Sequence, residues 1–169
     1  MNTRTGRQRS SDKAASIMFF KDHFEILALS GNAHRDGDYR AFARLEPESI
    51  TDVHLGALVK EALARSRNFE TATDAEIDYF YDVESPAENK KWLDSLMARF
   101  KAKTVQALFR NSRRLSVRQK ERQITIIPFY EIRGGGGRGS PEDQHIVLDE
   151  PIEDEALGKA IRLGLSRCK

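Results

Sequence analysis

Apolar residues recur along the chain with two different periods, which predicts helices and strands in one α+β fold. A helix is predicted over residues 51–66, capped by Ser49 or Thr51, because its apolar side chains follow the i, i+3, i+4 spacing of one face. Ser85 and Pro86 predict the N-cap and first residue of a second helix over 86–101. A third helix is predicted over 152–167, after Pro151.

Segments rich in β-branched and aromatic residues predict an antiparallel sheet. Extended structure is predicted at 17–20 and 24–29, at 39–45, where polar and apolar residues alternate, and from residue 102 onwards, where Val105, Ala107 and Phe109 alternate. A hairpin between Val117 and Ile124 and a short strand at 145–148 complete the set. The predicted fold class is therefore α+β, one domain with a mostly antiparallel sheet packed with three or more helices.

A short pattern occurs twice. Leu55-Gly56 and Leu157-Gly158 are each followed by apolar residues and an arginine at the same spacing, and each copy comes after strand-like sequence. Either two strand-strand-helix halves pack around one sheet, or two amphipathic helices share a pattern by chance.

Length and composition fit a single domain over residues 15–169 with a Gly-rich loop at 134–140, since 169 residues can form one core. Residues 1–14 are basic and almost without apolar side chains, which predicts a disordered tail and no secretory signal. No apolar run approaches the roughly 20 residues that span a bilayer. The only cysteine, Cys168, has no partner for a disulfide. These features predict a cytoplasmic protein that makes no contact with a membrane.

Residues that could perform catalysis are not clustered. His23, His34, His54 and His145 are scattered, without the spacing of a zinc site, and Cys168 has no evident base. The glycine run lacks the lysine of a phosphate-binding loop. We therefore expect no catalytic residues, no cofactor, no metal and no enzyme activity.

The net charge of +2 conceals a strong segregation of charge along the chain. Residues 70–84 and 142–155 are acidic, whereas residues 101–138 are basic. Such segregation concerns partners rather than the fold.

Residues 70–84 combine carboxylates with tyrosines, which suit a protein-binding surface, because aromatic side chains anchor interfaces and carboxylates steer basic partners. The candidate partner-binding residues are Asp74, Glu76, Asp78, Tyr79, Tyr81, Asp82 and Glu84. Alternatively, Ile77, Phe80 and Val83 pack on the core and the carboxylates are only solvated. The basic stretch 101–138 is either a solvated sheet face or a nucleic-acid-binding surface.

The order of several short motifs resembles the immunity proteins of bacterial contact-dependent growth inhibition (CDI) systems from about residue 17 to the end. These motifs are Phe19-Phe20-Lys21, Leu27-Ala28-Leu29-Ser30-Gly31, Leu55-Gly56, Lys103-Thr104, Ala107-Leu108-Phe109-Arg110-Asn111, Leu115-Ser116-Val117, Ile124-Thr125-Ile126 with Pro128, Leu157-Gly158-Lys159-Ala160 and Leu165-Ser166-Arg167-Cys168. The basic N-terminal extension and the glycine run depart from that pattern.

The resemblance implies a protein that binds the C-terminal toxin domain of a sibling's surface effector in the cytoplasm and blocks its active site, often that of a nuclease. The partner is then a cognate CdiA C-terminal toxin domain. The alternative is a small nucleic-acid-binding module using the basic strands within 101–138.

Overall fold

The structure is a computed structural model that describes residues 12–32, 34–131 and 137–169. The strands are β1 (Lys13–Phe20), β2 (His23–Gly31), β3 (Arg35–Gly37), β4 (Ala43–Pro47), β5 (Arg113–Lys120), β6 (Gln123–Glu131), β7 (Gly137–Gly139) and β8 (Ile146–Asp149). The helices are α1 (Asp52–Arg65), α2 (Asp74–Tyr79), a π-helical segment (Phe80–Glu84), α3 (Ser85–Arg99), α4 (Val105–Leu108), a 3-10 turn (Glu142–Gln144) and α5 (Asp154–Ser166).

The strands form one antiparallel sheet in the order β3-β2-β1-β5-β6-β7, with β4 also paired to β2 and β8 to β6. Helices α1 and α5 cover one face of this sheet and enclose the main core. The predicted α+β fold class is confirmed, as are the helices predicted over 51–66 and 152–167. Thr51 is the N-cap of α1, because its side chain accepts a hydrogen bond from the N–H of His54.

The sheet and the two helices that cover it consist of two similar halves, which an approximate two-fold axis relates to each other. Four strands and a helix (β1 to β4, α1) are followed, after an inserted segment, by four strands and a helix (β5 to β8, α5). The axis passes through the pair Ser16 and Ser116, which face each other where β1 meets β5. The repeated Leu-Gly pattern therefore marks equivalent positions of two halves, as one of its two interpretations predicted.

Helices α1 and α5 cross at the two repeated glycines. A Cβ added at Gly56 would lie 1.9 Å from the carbonyl oxygen of Asp154, and one added at Gly158 would lie 2.0 Å from that of Asp52. Equivalent ion pairs flank the crossing, with Lys60 Nζ 2.6 Å from Asp154 and Arg162 Nε 2.7 Å from Asp52. Glycine at both positions lets the backbones touch and brings these pairs within reach.

Two predictions of local structure were wrong in part. The segment predicted as extended around residues 102–109 contains α4, because Thr104 accepts a hydrogen bond from the N–H of Ala107 and starts a helical turn. The strand predicted at 39–45 lies at Ala43–Pro47, because Asp38 accepts a hydrogen bond from the N–H of Ala41 and holds a turn there. The two-residue turn before β2 uses positive φ angles at Lys21 and Asp22.

The domain boundary and the glycine loop differ from the predicted limits where the structure describes them. Strand β1 begins at Lys13, so Lys13 and Ala14 are part of the sheet, and residues 1–11 of the predicted tail lie outside the described residues. Gly137–Gly139 form β7, which pairs with β6 through backbone groups and needs no side chains. Residues 132–136 of the predicted loop lie outside the described residues.

Candidate protein-binding surface

The segment between the two halves forms one bent helical unit, which we call the helical insert (residues 74–99). It begins at Thr73, whose side chain accepts a hydrogen bond from the N–H of Glu76 while the Glu76 carboxylate accepts one from the N–H of Thr73. This capping box satisfies two backbone donors at the helix start. The sequence contains the signal, threonine followed three residues later by glutamate.

A π-helical turn carries the insert past Pro86. A proline inside an α-helix lacks the N–H and clashes with the carbonyl four residues earlier, which here would be that of Asp82. The wider turn at Phe80–Glu84, where the N–H of Ser85 bonds the carbonyl of Phe80, accommodates the ring. The predicted helix over 86–101 is therefore confirmed, but its predicted N-cap is wrong: Ser85 is helical and donates its hydroxyl to the Gly37 carbonyl at 3.1 Å.

The inner side of the insert is apolar and buried. Ile77 and Phe80 pack with Phe69 in a small cluster, and the rings of Phe69 and Phe80 meet edge to face with centroids 5.0 Å apart. Further along, Leu96 packs on Phe20 and Leu108 beneath α3. The alternative interpretation of this segment is thus correct for Ile77 and Phe80, but Val83 is 50% exposed.

Four of the seven candidate residues lie on the outer side of the insert. Asp74, Asp78 and Asp82 are exposed and follow one another at intervals of one helical turn. Tyr79 beside them is 55% exposed. Together with Ala75 and Val83 they form what we call the outer stripe, an acidic row next to a row of apolar and aromatic side chains.

The other three candidates hold the insert in place. Glu76 closes the capping box, and hydrogen bonds from Thr73 lower the pKa of its carboxyl group. The Tyr81 hydroxyl donates to the carbonyl of His34 and accepts from the N–H of Asn32. Glu84 is an ion-pair partner of Arg40 and Arg67.

Arg67 links the insert to the sheet through a cluster that the sequence did not indicate. Its guanidinium binds both carboxylate oxygens of Asp38, at 2.6 and 2.9 Å, and one oxygen of Glu84, at 2.8 Å. The Asp38 side chain is only 1% exposed and also accepts from the Ser30 hydroxyl at 2.6 Å. These residues are up to 54 positions apart, from Ser30 to Glu84, so no local pattern predicts the contact.

A buried carboxylate lies between the sheet and α3. Glu25 on β2 is 4% exposed and accepts a hydrogen bond of 2.5 Å from the indole N–H of Trp92. Burial raises the pKa of Glu25, although the Trp92 hydrogen bond and the charge of Arg114 act in the opposite direction. The neighbouring Tyr39 has its pKa raised to about 12, first by burial and then by the charge of Glu25.

This geometry predicts a pH dependence that Glu25→Gln should remove. Because the pKa of Glu25 in the folded chain lies above its usual 4.5, the folded state binds the proton more tightly than the unfolded state. The free energy of unfolding of the parent should therefore rise relative to Glu25→Gln as pH falls through the raised pKa towards 4.5. Urea titrations of both proteins at several pH values measure this difference.

The only tryptophan gives an independent readout of the same proton. Emission from Trp92 should change over the same pH interval in the parent and not in Glu25→Gln. A parallel course of the two unfolding free energies with pH would contradict the assignment.

Three of the basic residues of 101–138 lie together on one face of the sheet. Leu115 and Val117 point to the α1/α5 core, so Arg114, Arg118 and Lys120 on β5 point to the opposite face. There they lie beside Thr125, Ile127 and Phe129 of β6 and Val147 of β8, with the Arg114 guanidinium 5.1 Å from the Phe129 ring centre. We call these seven residues the open sheet face.

The other residues considered for chemistry are dispersed. Over residues 12–32, 34–131 and 137–169, no group of three or more His, Cys, Asp or Glu side chains could hold a metal ion. Cys168 is half-buried, donates to the carbonyl of Arg114 at 3.3 Å, and has its thiol pKa raised by burial. Within the same described residues, no helix has both the length and the apolar character required to cross a bilayer.

The described surface thus presents an acidic helical stripe and a basic sheet face on a rigid two-fold scaffold, an arrangement typical of a protein-binding module. The profile of the CDI immunity protein family matches residues 13–168, and the chain belongs to that family. This confirms the resemblance found in the sequence.

Individual relatives agree with the family assignment. The chain is 28% identical to immunity protein CdiI-YPIII of Yersinia pseudotuberculosis serotype O:3 over 167 residues, which cover 92% of this chain and 94% of that protein. It shares its fold with a protein of unknown function from Neisseria meningitidis, with a TM-score of 0.83, 24% identity and coverage of 98% and 99%. A chain of a CdiA-CT/CdiI toxin and immunity complex from Y. pseudotuberculosis matches with a TM-score of 0.81, 23% identity and coverage of 96% and 100%.

Proposed function

We propose that this protein binds the C-terminal toxin domain of a cognate CdiA effector in the cytoplasm and neutralises it by covering its active site. The observation that carries the proposal is the family match over residues 13–168. The Y. pseudotuberculosis chain of the same fold comes from a toxin and immunity complex, which supports this role. Inhibition by covering requires no catalytic chemistry from the immunity protein, and we propose that it has none.

We further propose that the toxin is a nuclease and that the outer stripe of the insert contacts it. A nuclease cleft that binds phosphates is basic, so a row of exposed carboxylates attracts it over long range. Tyr79, 55% exposed, supplies an aromatic side chain that loses little conformational entropy on binding. Of the seven candidates, Asp74, Asp78, Tyr79 and Asp82 would touch the toxin, while Glu76, Tyr81 and Glu84 would act by fixing the insert.

Charge reversal of the stripe tests this assignment. Asp74→Lys, Asp78→Lys and Asp82→Lys together should slow association with the toxin encoded beside this gene, and the slowing should fade as salt is added, because the Debye length is about 8 Å at physiological ionic strength. Tyr79→Ala should instead speed dissociation, by about thirtyfold for a residue that anchors the interface. Binding kinetics at two salt concentrations measure both effects.

The matched control reverses three exposed carboxylates on turns outside the helical insert, Asp22→Lys, Glu48→Lys and Glu121→Lys. It changes the net charge equally and should alter association much less. If the stripe variant melts normally and associates as fast as the parent, the interface lies elsewhere, and residues 142–155 are the next acidic segment to test. Failure of the parent itself to bind the toxin or to protect cells from it would overturn the proposed function.

A further inference from the structure

The two halves of the sheet differ in what covers the face opposite to α1 and α5. In the first half α3 lies on this face, and Trp92, Leu93 and Met97 pack around Met18 and Phe20. On the equivalent face of the second half, no helix formed by the described residues packs. Val147 is 53% exposed there, and Arg114, Arg118 and Lys120 are exposed. The open sheet face is thus a surface whose counterpart in the same molecule is covered by a helix.

The chemistry of the open sheet face sets what can cover it. One row, on β5, is cationic, and the next rows, on β6 and β8, contain Ile127, Phe129 and Val147. A helix that lies on it must carry carboxylates along one edge and apolar side chains along the adjacent edge. The outer stripe of the helical insert has this arrangement, with Asp74, Asp78 and Asp82 beside Tyr79 and Val83.

The spacings of the two rows also agree. Arg114 and Arg118 are four strand residues apart, about 13 Å at 3.3 Å per residue. Asp74 and Asp82 are eight helix residues apart, about 12 Å at 1.5 Å per residue. The apolar rows lie one strand away on the sheet, about 4.8 Å, and three residues away on the insert, as from Tyr79 to Asp82, about 5 to 6 Å between Cβ atoms. Charge and apolar contacts can therefore form together.

We propose that the outer stripe of one copy of this protein binds the open sheet face of a second copy. Every copy carries both surfaces, and the proposed arrangement is the closed one, a two-fold dimer in which each insert lies on the other copy's sheet. Each sheet then has helices on the same face of both halves, one supplied by its own chain and one by its partner. The same acidic stripe would serve the toxin, so toxin and second copy compete for it.

A nucleic acid fits this face less well than a second copy. The apolar side chains Ile127 and Val147 offer nothing to a phosphate backbone, whereas they can pack against Tyr79 and Val83. We expect binding to a protein stripe rather than to RNA or DNA.

Reversing the charges of each surface in a separate variant tests the dimer without any toxin. The insert variant is Asp78→Lys with Asp82→Lys, and the sheet variant is Arg118→Glu with Lys120→Glu. Arg114 is left unchanged because its charge acts on the buried Glu25. In sedimentation equilibrium of the full chain, each variant alone should raise the dimer dissociation constant by about a hundredfold, because like charges then face each other.

Mixing the two variants should restore a dimer, because opposite charges then meet in both contacts. In one contact the new lysines face the new glutamates, and in the other the unchanged aspartates face the unchanged Arg118 and Lys120. The turn triple Asp22→Lys, Glu48→Lys, Glu121→Lys should dimerise like the parent. A parent that stays monomeric up to near-millimolar concentration overturns the proposal, and so does a mixture that stays monomeric while both variants melt normally. If a charge-reversed variant fails to fold, the neutral substitutions Asp82→Asn and Lys120→Gln are tested in its place. Dimerisation as strong as that of the parent in these neutral variants would also overturn the proposal.

Binding of an RNA oligonucleotide would assign the face to nucleic acid instead, provided that the binding weakens with salt and is abolished in the sheet variant.

Discussion

Gly56→Ala is expected to destabilise the protein far more than Gly164→Ala, which also replaces a glycine in a helix. The new Cβ would lie 1.9 Å from the backbone oxygen of Asp154, and a backbone atom cannot rotate away as a side chain can. Helices α1 and α5 would have to separate, which loosens their packing on the sheet at the centre of the main core. We expect a loss of about 3 kcal/mol or more, despite the helix propensity of alanine, which favours it by about 1 kcal/mol.

Thermal unfolding measures this loss as a fall in Tm of roughly 6 to 12 °C for a chain of this size. Gly158→Ala should behave alike, because its Cβ would lie 2.0 Å from the backbone oxygen of Asp52 at the equivalent position. Gly164→Ala is the matched control in α5, since its Cβ would meet the side chains of Ile126 and Leu115 at 3.0 Å and beyond, and these can shift. If Gly56→Ala and Gly164→Ala lowered Tm equally, the close approach of the two helix backbones would not be the cause of the destabilisation.

The two glycines should also depend on each other. Once one alanine has forced the helices apart, the second alanine disrupts less of the remaining contact. The free energy of unfolding should therefore fall less in the double variant than the sum of the losses in the two single variants. Simple additivity would indicate two independent sites rather than one crossing.

How much the sequence predicted depends on how local the signals are. Helices α1 and α5 were predicted correctly because the apolar spacing of each, and the Thr51 cap of α1, are contained in one stretch of chain. The repeated Leu-Gly pattern pointed to the two halves, because the crossing requires glycine at equivalent positions. By contrast, α4 was mistaken for a strand because of the alternation of Val105, Ala107 and Phe109. This alternation covers only five residues, too few to distinguish the two-residue period of a strand from the 3.6-residue period of a helix.

The candidate surface shows the same limit. The acidic and aromatic character of residues 70–84 could be recognised from composition alone. The division into an outer stripe and anchoring residues could not, because it depends on distant partners. Tyr81 bonds to the backbone of Asn32 and His34, and Glu84 pairs with Arg40 and Arg67. The open sheet face was visible in sequence only as a basic stretch, from which Arg114, Arg118 and Lys120 proved to share one face of the sheet.

Arg67→Met should be the most damaging change of a single charged side chain, because it leaves Asp38 buried without its cation. The Asp38 side chain is 1% exposed and keeps only donors without charge, the Ser30 hydroxyl and the N–H of Ala41. Removing one partner of a buried ion pair typically costs about 3–5 kcal/mol, and the 42% exposure of the Arg67 side chain places this pair at the lower end of that range. Equilibrium unfolding in urea measures the loss. Arg65→Met is the matched control, since Arg65 pairs with Glu61 at the surface and should cost only about 0.3–0.5 kcal/mol.

A second substitution separates charge from packing in this effect. If the loss comes from the uncompensated carboxylate, then adding Asp38→Asn to Arg67→Met should recover part of the stability, although Asp38→Asn alone destabilises the parent. If the loss comes instead from the contact of Arg67 with the rings of Phe69 and Phe80, the added substitution should make the protein still less stable. Because Arg67 also holds Glu84, amide hydrogens of residues 74–99 should exchange faster in Arg67→Met than in Arg65→Met. Faster exchange confined to that segment would mean that the Arg67 cluster fixes the orientation of the surface proposed to meet the toxin.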